Sequence, residues 1–210
     1  GHDEGAAAEG FASASCIRAL LARGEDASAF LTEESAAIYA RECAAGRAPV
    51  TMQGAERAIL SRLRAMEEED FARFDGGREG LYRRFYDAAR TASSIEELLG
   101  AAKTKRYAYA RLRRMLLAAY LGVTKEDMPP RMPYLRVLAF NERGRAVLKQ
   151  MKKTASAPVL IKSADVHALD ESAQRLFELS ARAEDQYVLA YPDLAASQGG
   201  SAWTSGPVII

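Results

Sequence analysis

Histidine and cysteine are almost missing from this chain. Among 210 residues only His2 and His167, and only Cys16 and Cys43, are present. Two widely spaced thiols without a C-x-x-C pattern supply neither a disulfide framework nor a zinc cage, and two histidines leave a His-based catalytic triad or metal site poorly provided. Long apolar runs are lacking too. None approaches the roughly 20 residues that span a bilayer, and no stretch reads as a secretory leader, so the expectation is a cytoplasmic protein without membrane partners. Glycine-rich phosphate loops are also missing, because Gly76-Gly77 and Gly199-Gly200 are isolated pairs without a strand and helix correctly placed around them. No pair of carboxylates stands in contexts that would separate their acidities, and the residues alone do not specify an enzyme.

What is present is an ordinary globular composition, 49% hydrophobic and 27% charged. Net charge is only +1, from 29 Lys and Arg against 28 Asp and Glu, so any affinity for a polyanion must come from local segregation of charge. Segregation is visible. Residues 67–70 form an acidic run, whereas 103–114 and 143–153 are basic blocks.

The stretch 103–121, KTKRYAYARLRRMLLAAYL, reads as one helix in which two characters meet. At about 100° per residue Ala108, Leu112, Met115, Leu116 and Ala119 share a face opposite Lys103, Arg106, Arg113 and Arg114, and residues 115–121 should be buried. A buried helix with a cationic end offers an anion a fixed platform. The same pattern also fits a core helix with a solvated basic end, whose arginines pair with the acidic run 67–70.

Around it the chain reads as mainly α (α+β): a helical, bundle-like region followed by a small βαβ unit and a C-terminal helix. Helices are expected over 11–23 with Ser13 or Ser15 as cap, 31–45 with Thr32 as cap, 52–66 with Arg57, Arg62 and Arg64 towards solvent, 81–92, and a short one from a capping box at Ser93-Ser94-Ile95-Glu96-Glu97 to about Gly100. The acidic run 67–70 reads as a solvated boundary. A strand at 135–140, a helix at 142–153 capped by Asn141 and a strand at 158–162 form the βαβ unit, with its strands parallel. A helix at 170–187 and a terminal strand or extended tail at 207–210 complete the chain.

The segments 93–122 and 133–162, with their KTKRY…R…RR…LL and LRVLAFNERGR blocks, resemble the C-terminal half of the bacterial tRNA(Met) cytidine acetate ligases, which are nucleotidyltransferase-like. The tail 202–210 resembles the family's ending more loosely. Members join an N-terminal nucleotidyltransferase domain to a helical region, use ATP to adenylate acetate and acetylate the wobble cytidine of elongator tRNA(Met). The resemblance implies a tRNA-modifying ligase with ATP, acetate and tRNA as partners, and Mg2+ as a companion of ATP. It divides the chain into 1–23, the edge of a nucleotidyltransferase domain; 24–128, a helical region; and 129–210, a small α/β region with the C-terminal helix and tail.

The family's histidine-containing phosphate motif is not in the sequence, and Gly1-His2-Asp3 has no initiator Met, so the expectation is a piece of a longer enzyme, inactive alone. Ser13-Ala14-Ser15-Cys16-Ile17-Arg18 is similar to the motif that closes over ATP phosphates, with Ser where Thr is common, and His2-Asp3 fits the loop before it. The resemblance thus implies ATP contacts from Ser13, Ser15 and Arg18. For tRNA it implies phosphate contacts from Lys103, Lys105, Arg106, Arg111, Arg113 and Arg114, with Tyr107 or Tyr109 stacking on an unpaired base. Two other readings stay open from the residues: a helical interaction domain for an acidic protein, and another adenylyltransferase acting on a small-molecule acceptor.

Overall fold

The computed structural model describes residues 11–74 and 80–210. His2-Asp3 and the break at Gly76-Gly77 lie outside the described residues. The chain forms two compact units, one from residues up to 55 with 187–198 and the other from 56–186 with 199–210. These units cut across the segments 1–23, 24–128 and 129–210, because a stretch near the end of the chain returns to its first quarter: Asp193 N–H donates to the Gly46 carbonyl at 3.0 Å.

In the first unit, α1 (Ala14–Ala22) starts at Ser13, whose hydroxyl accepts from Cys16 N–H at 3.1 Å. Helix α2 (Glu33–Ala44) starts at Thr32, whose hydroxyl accepts from Ser35 N–H. Both caps match the sequence reading, since a short oxygen side chain satisfies an otherwise orphaned N–H. Gly54 marks a close backbone approach, because a Cβ there would lie 2.6 Å from the Ala190 carbonyl oxygen.

The second unit begins with five helices: α3 (Glu56–Arg64), α4 (Glu68–Phe74), α5 (Leu81–Thr91), α6 (Ile95–Ala102) and α7 (Tyr109–Leu121). Their apolar stripes converge on Ile59, Leu63, Phe71, Leu81, Phe85, Leu98, Leu112 and Leu116, all fully buried. Helix α5 packs against α3, α4 and α6, and α7 against α3, α4 and α6. The acidic run 67–70 is therefore no boundary. It opens α4, where carboxylates favour a helix N-terminus, and its next residue, Phe71, enters the core.

The strand expected at 135–140 is two strands with different partners. Strand β1 (Leu135–Arg136) pairs in parallel with β3 (Val159–Leu160), Leu135 opposite Val159, as the βαβ reading requires. Strand β2 (Ala139–Phe140) pairs in parallel with β4 (Val208–Ile209), which makes the end of the chain a strand. Between β2 and β3 lies α8 (Glu142–Thr154), capped by Asn141 through Gly144 N–H at 2.9 Å. Helix α9 (Glu171–Val188) and the short α10 (Ser201–Thr204) complete the elements. The core here is Tyr134, Leu160, Val166, Leu169, Ala173, Phe177, Ala181 and Ala202. Arg136 is clamped above it, 2.7 Å from Glu184 with its guanidinium 5.3 Å from the centre of the Phe177 ring. The architecture is α+β and mainly helical, as expected.

Candidate nucleic-acid interface and helix-start site

The stretch 103–121 is not one helix. Helix α6 ends at Ala102, and residues 103–108 form a turn closed by a bridge between Thr104 and Tyr107. Helix α7 begins only at Tyr109. The cause lies elsewhere in the chain: Arg84 of α5 donates to the carbonyls of Ala101 at 2.8 Å and Ala102 at 3.3 Å, taking up the acceptors that end α6. The Lys103 ammonium donates to the Thr104 carbonyl at 2.6 Å, and Arg106 N–H donates to the Thr104 hydroxyl at 3.2 Å.

This turn decides the fate of the two tyrosines. Tyr107 is only 3% exposed, so it is a core residue, and the stacking role expected of it is corrected by its burial. Tyr109 keeps 46% of its surface and is flanked by two cations, the Lys103 ammonium 5.5 Å and the Arg113 guanidinium 5.9 Å from its ring centre. Such placements are attractive because the ring face carries negative potential. Arg111 is half-buried and stacks over Tyr107 at 5.0 Å.

Lys105, Arg106, Arg113 and Arg114 are exposed, and among the described residues none of the four makes an ion pair. The acidic run does not neutralise them: Glu68 pairs with Arg83 at 3.1 Å, Asp70 with Arg73 at 2.7 Å, and Glu67 with Arg90 at 3.9 Å. Helix α7 itself has no side-chain cap at Ala108 and no acidic residue in its first turn. The amides of Tyr109 and Ala110 precede its first backbone bonds, from Arg111 and Leu112 N–H to the Ala108 carbonyl, and so have no acceptor within the helix. Uncapped N–H groups among cations are a local arrangement that favours an anion.

Further along α7 the expected burial holds for Leu112, Met115, Leu116, Ala119 and Tyr120, whereas Leu117 remains 38% exposed. Tyr120 donates to the Gln186 carbonyl at 3.4 Å, and burial raises its phenol above the usual range.

The second group of predicted residues sits on α1. Ser13 spends its acceptor on the cap, Ser15 faces solvent, and the Arg18 guanidinium lies 3.4 Å from the Ser15 hydroxyl one turn away. Ile17 N–H makes the first helical bond, to the Ser13 carbonyl at 3.0 Å. The amides of Ala14 and Ser15 therefore lie ahead of the ladder, beside a hydroxyl and a guanidinium, a donor set that fits phosphate oxygens. Among the described residues no group of three His, Cys, Asp or Glu side chains could hold a metal, and no helix is long and apolar enough to cross a membrane.

What the sequence reading missed is Arg84, whose two bonds shape the turn. Its position beside the aromatic positions of α5 gave no cue to a partner 17 residues away. It also took Tyr107 and Tyr109 as equivalent, although only their placement about the turn distinguishes them.

Residues 1–201 match the model of the HIGH nucleotidyl transferases. A tRNA(Met) cytidine acetate ligase of Acetivibrio thermocellus is 33% identical over 186 residues, which cover 86% of this chain and 45% of the relative. Among solved structures, apo TmcAL of Thermotoga maritima superposes with a TM-score of 0.92 at 26% identity over 100% of this chain and 53% of that one. A second crystal form of the same protein, bound with alpha-thio ATP, gives 0.88 at 28% identity over 97% and 53%. The chain thus spans about half the length of these relatives. The likeness read from the KTKRY and LRVLAFNERGR blocks is borne out.

Proposed function

The chain belongs to the HIGH nucleotidyl transferase family, and from that premise we propose that it is part of a cytoplasmic, ATP-dependent tRNA-modifying ligase to which it contributes the tRNA-binding surface. The whole enzyme would adenylate acetate and acetylate the wobble cytidine of elongator tRNA(Met); this chain alone would not turn over. The observation that carries the tRNA-binding part is the uncapped start of α7, where Lys105, Arg106, Arg113 and Arg114 are exposed without ion pairs around a half-exposed Tyr109. Cations that no internal carboxylate neutralises are available to displace counterions from a phosphate backbone.

At the α1 start, the amides of Ala14 and Ser15, the Ser15 hydroxyl and the Arg18 guanidinium would hold ATP phosphates. The relative that carries an ATP analogue supports ATP as the nucleotide, while the choice of these residues rests on their donor geometry. Arg18 would stabilise charge building on the departing pyrophosphate.

The test is tRNA binding by the 210-residue chain across a salt series. Replacing Lys105, Arg106, Arg113 and Arg114 together by Ala should weaken binding at least about tenfold near 0.1 M salt and lower the slope of log K against log salt by about 3. Wild-type affinity at every salt concentration would overturn the reading. For the nucleotide site, Arg18→Ala in the full-length parent should weaken ATP binding, and unchanged binding would remove Arg18 from it.

A further inference from the structure

The second basic block, at 143–153, has no part in the function proposed above, and the structure gives it a shape. Helix α8 buries none of its side chains fully. Gly144, Leu148 and Met151, spaced four and three residues apart, are its half-buried side and form one line. Gly144 lies close to β2, where a Cβ would be 3.0 Å from Phe140 Cβ. At 100° per residue Arg145, Lys149, Lys152 and Lys153 fall within a sector of about 100° beside that line, over about 12 Å of helix. All four are exposed, and none makes an ion pair among the described residues. The helix carries a single acid, Glu142, in its first turn.

Asp165, outside the helix, feels the charge of Lys152 but makes no ion pair with the stripe among the described residues. Asp165 accepts from the backbone N–H groups of Ile161 and Lys162, each at 3.0 Å, and the charges of Lys152 and Lys162 act on it from farther off. Lys162, itself exposed, adds a further cation. Held by the cap at Asn141 and by its contact with β2, the helix presents a fixed row of four positive charges, with Glu142 on the same side in the first turn and in no ion pair with them among the described residues.

We infer that the Arg145–Lys149–Lys152–Lys153 stripe of α8 is a second contact surface for the phosphate backbone of folded RNA, in addition to the 103–114 block. The inference rests on the tRNA reading above and extends it to a different element. The alternative occupant of a basic helix is an anionic lipid surface, which requires a broad apolar side for insertion. Helix α8 lacks one: Leu148 and Met151 are half-buried on the Gly144 side, and Val147 is its one exposed large apolar side chain. Rigidly spaced cations without a greasy flank suit a phosphate backbone, where affinity comes from counterion release.

The experiment measures tRNA binding and binding to phosphatidylserine–phosphatidylcholine vesicles by four forms of the 210-residue chain. These are the wild type; the stripe variant R145Q/K149Q/K152Q/K153Q; the block variant K105A/R106A/R113A/R114A; and their combination. Glutamine keeps helix propensity and length, and far-UV circular dichroism checks that α8 persists. The stripe variant should bind tRNA about tenfold or more weakly near 0.1 M salt, with the salt slope reduced by about 3, and the combined variant should lose both contributions. If the stripe variant binds tRNA like the wild type while the block variant is weakened, the stripe is overturned and the tRNA reading survives. If the wild type fails to bind tRNA, both fall. Loss of vesicle binding without loss of tRNA binding would replace RNA by a lipid surface as the occupant.

Discussion

The guanidinium of Arg113 lies 5.9 Å from the ring centre of Tyr109, four residues earlier on the same helix, with the Lys103 ammonium 5.5 Å from that centre. Two cations thus lie within 6 Å of the ring centre while nearly half of the residue faces solvent. An aromatic face flanked in this way can receive an unstacked base while the cations meet the adjoining phosphates.

If Tyr109 stacks on a base, Tyr109→Ala should weaken tRNA binding by about 1–3 kcal/mol, and Tyr109→Phe should leave it unchanged because stacking does not use the hydroxyl. Filter binding at fixed salt measures both. Equal affinities for Tyr109→Ala and the wild type would exclude the ring from the interface.

Stability makes a second prediction. Arg64 of α3 donates to the carbonyls of Ala89 at 3.1 Å and Ala92 at 2.7 Å at the end of α5, and Arg90 of α5 donates to the Met66 carbonyl just after α3 at 3.0 Å. Each arginine therefore satisfies carbonyls at or beyond the end of the other's helix. Arg64 is exposed, as expected, and its guanidinium nevertheless reaches these two carbonyls. Arg64→Ala should cost about 1–3 kcal/mol, and the double variant with Arg90→Ala should depart from additivity because both act on one seam. Urea denaturation followed by circular dichroism reads both. A loss below about 0.5 kcal/mol in Arg64→Ala would show that water replaces these bonds at little cost.

Acidity gives the third. The Asp165 carboxyl is held below the usual carboxylate range, first by the backbone N–H of Lys162 and then by that of Ile161. Its pKa is depressed in the folded state, so the stabilisation is complete above the unfolded value of about 3.9 and is lost as pH falls through the lower folded value. Asp165→Asn keeps an acceptor oxygen but cannot ionise. Its stability should fall less steeply than that of the wild type from pH 5 to pH 3, as read from urea midpoints. Parallel curves would show that ionisation of Asp165 does not contribute.

Much of this arrangement was legible because it is local. Ser94 accepts from Glu97 N–H at 3.1 Å while the Glu97 carboxylate accepts from Ser93 N–H at 2.8 Å, so the cap at the start of α6 could be read from five letters. Thr32, Asn141 and Gly122, the last at φ 72°, mark helix ends for equally local reasons. An end to the first helix near residue 100 was legible, but the turn over 103–108 that delays α7 to Tyr109 was not. Residues 103–108 contain neither glycine nor proline, and the interruption comes from Arg84 and from the burial of Tyr107, both tertiary effects that override propensity. Helix α4 was hidden for the opposite reason: its three acids, with Glu67 before them, suggested solvent, although Phe71 behind them is fully buried. At the candidate site, composition located the cations, but only the turn showed which tyrosine is exposed.

Residues 135–140 hand the backbone from one parallel partner to another within a few positions: Val137 N–H donates to the Leu160 carbonyl, and the Leu138 carbonyl accepts from Val208 N–H. The first partnership closes over a span of about two dozen residues, whereas the second must wait for a strand nearly seventy positions downstream. During synthesis, then, Ala139 and Phe140 leave the ribosome long before the segment that completes their ladder. Closing so wide a span is entropically slow, so the pairing of Ala139 and Phe140 with Val208 and Ile209 should form after that of Leu135 and Arg136 with Val159 and Leu160.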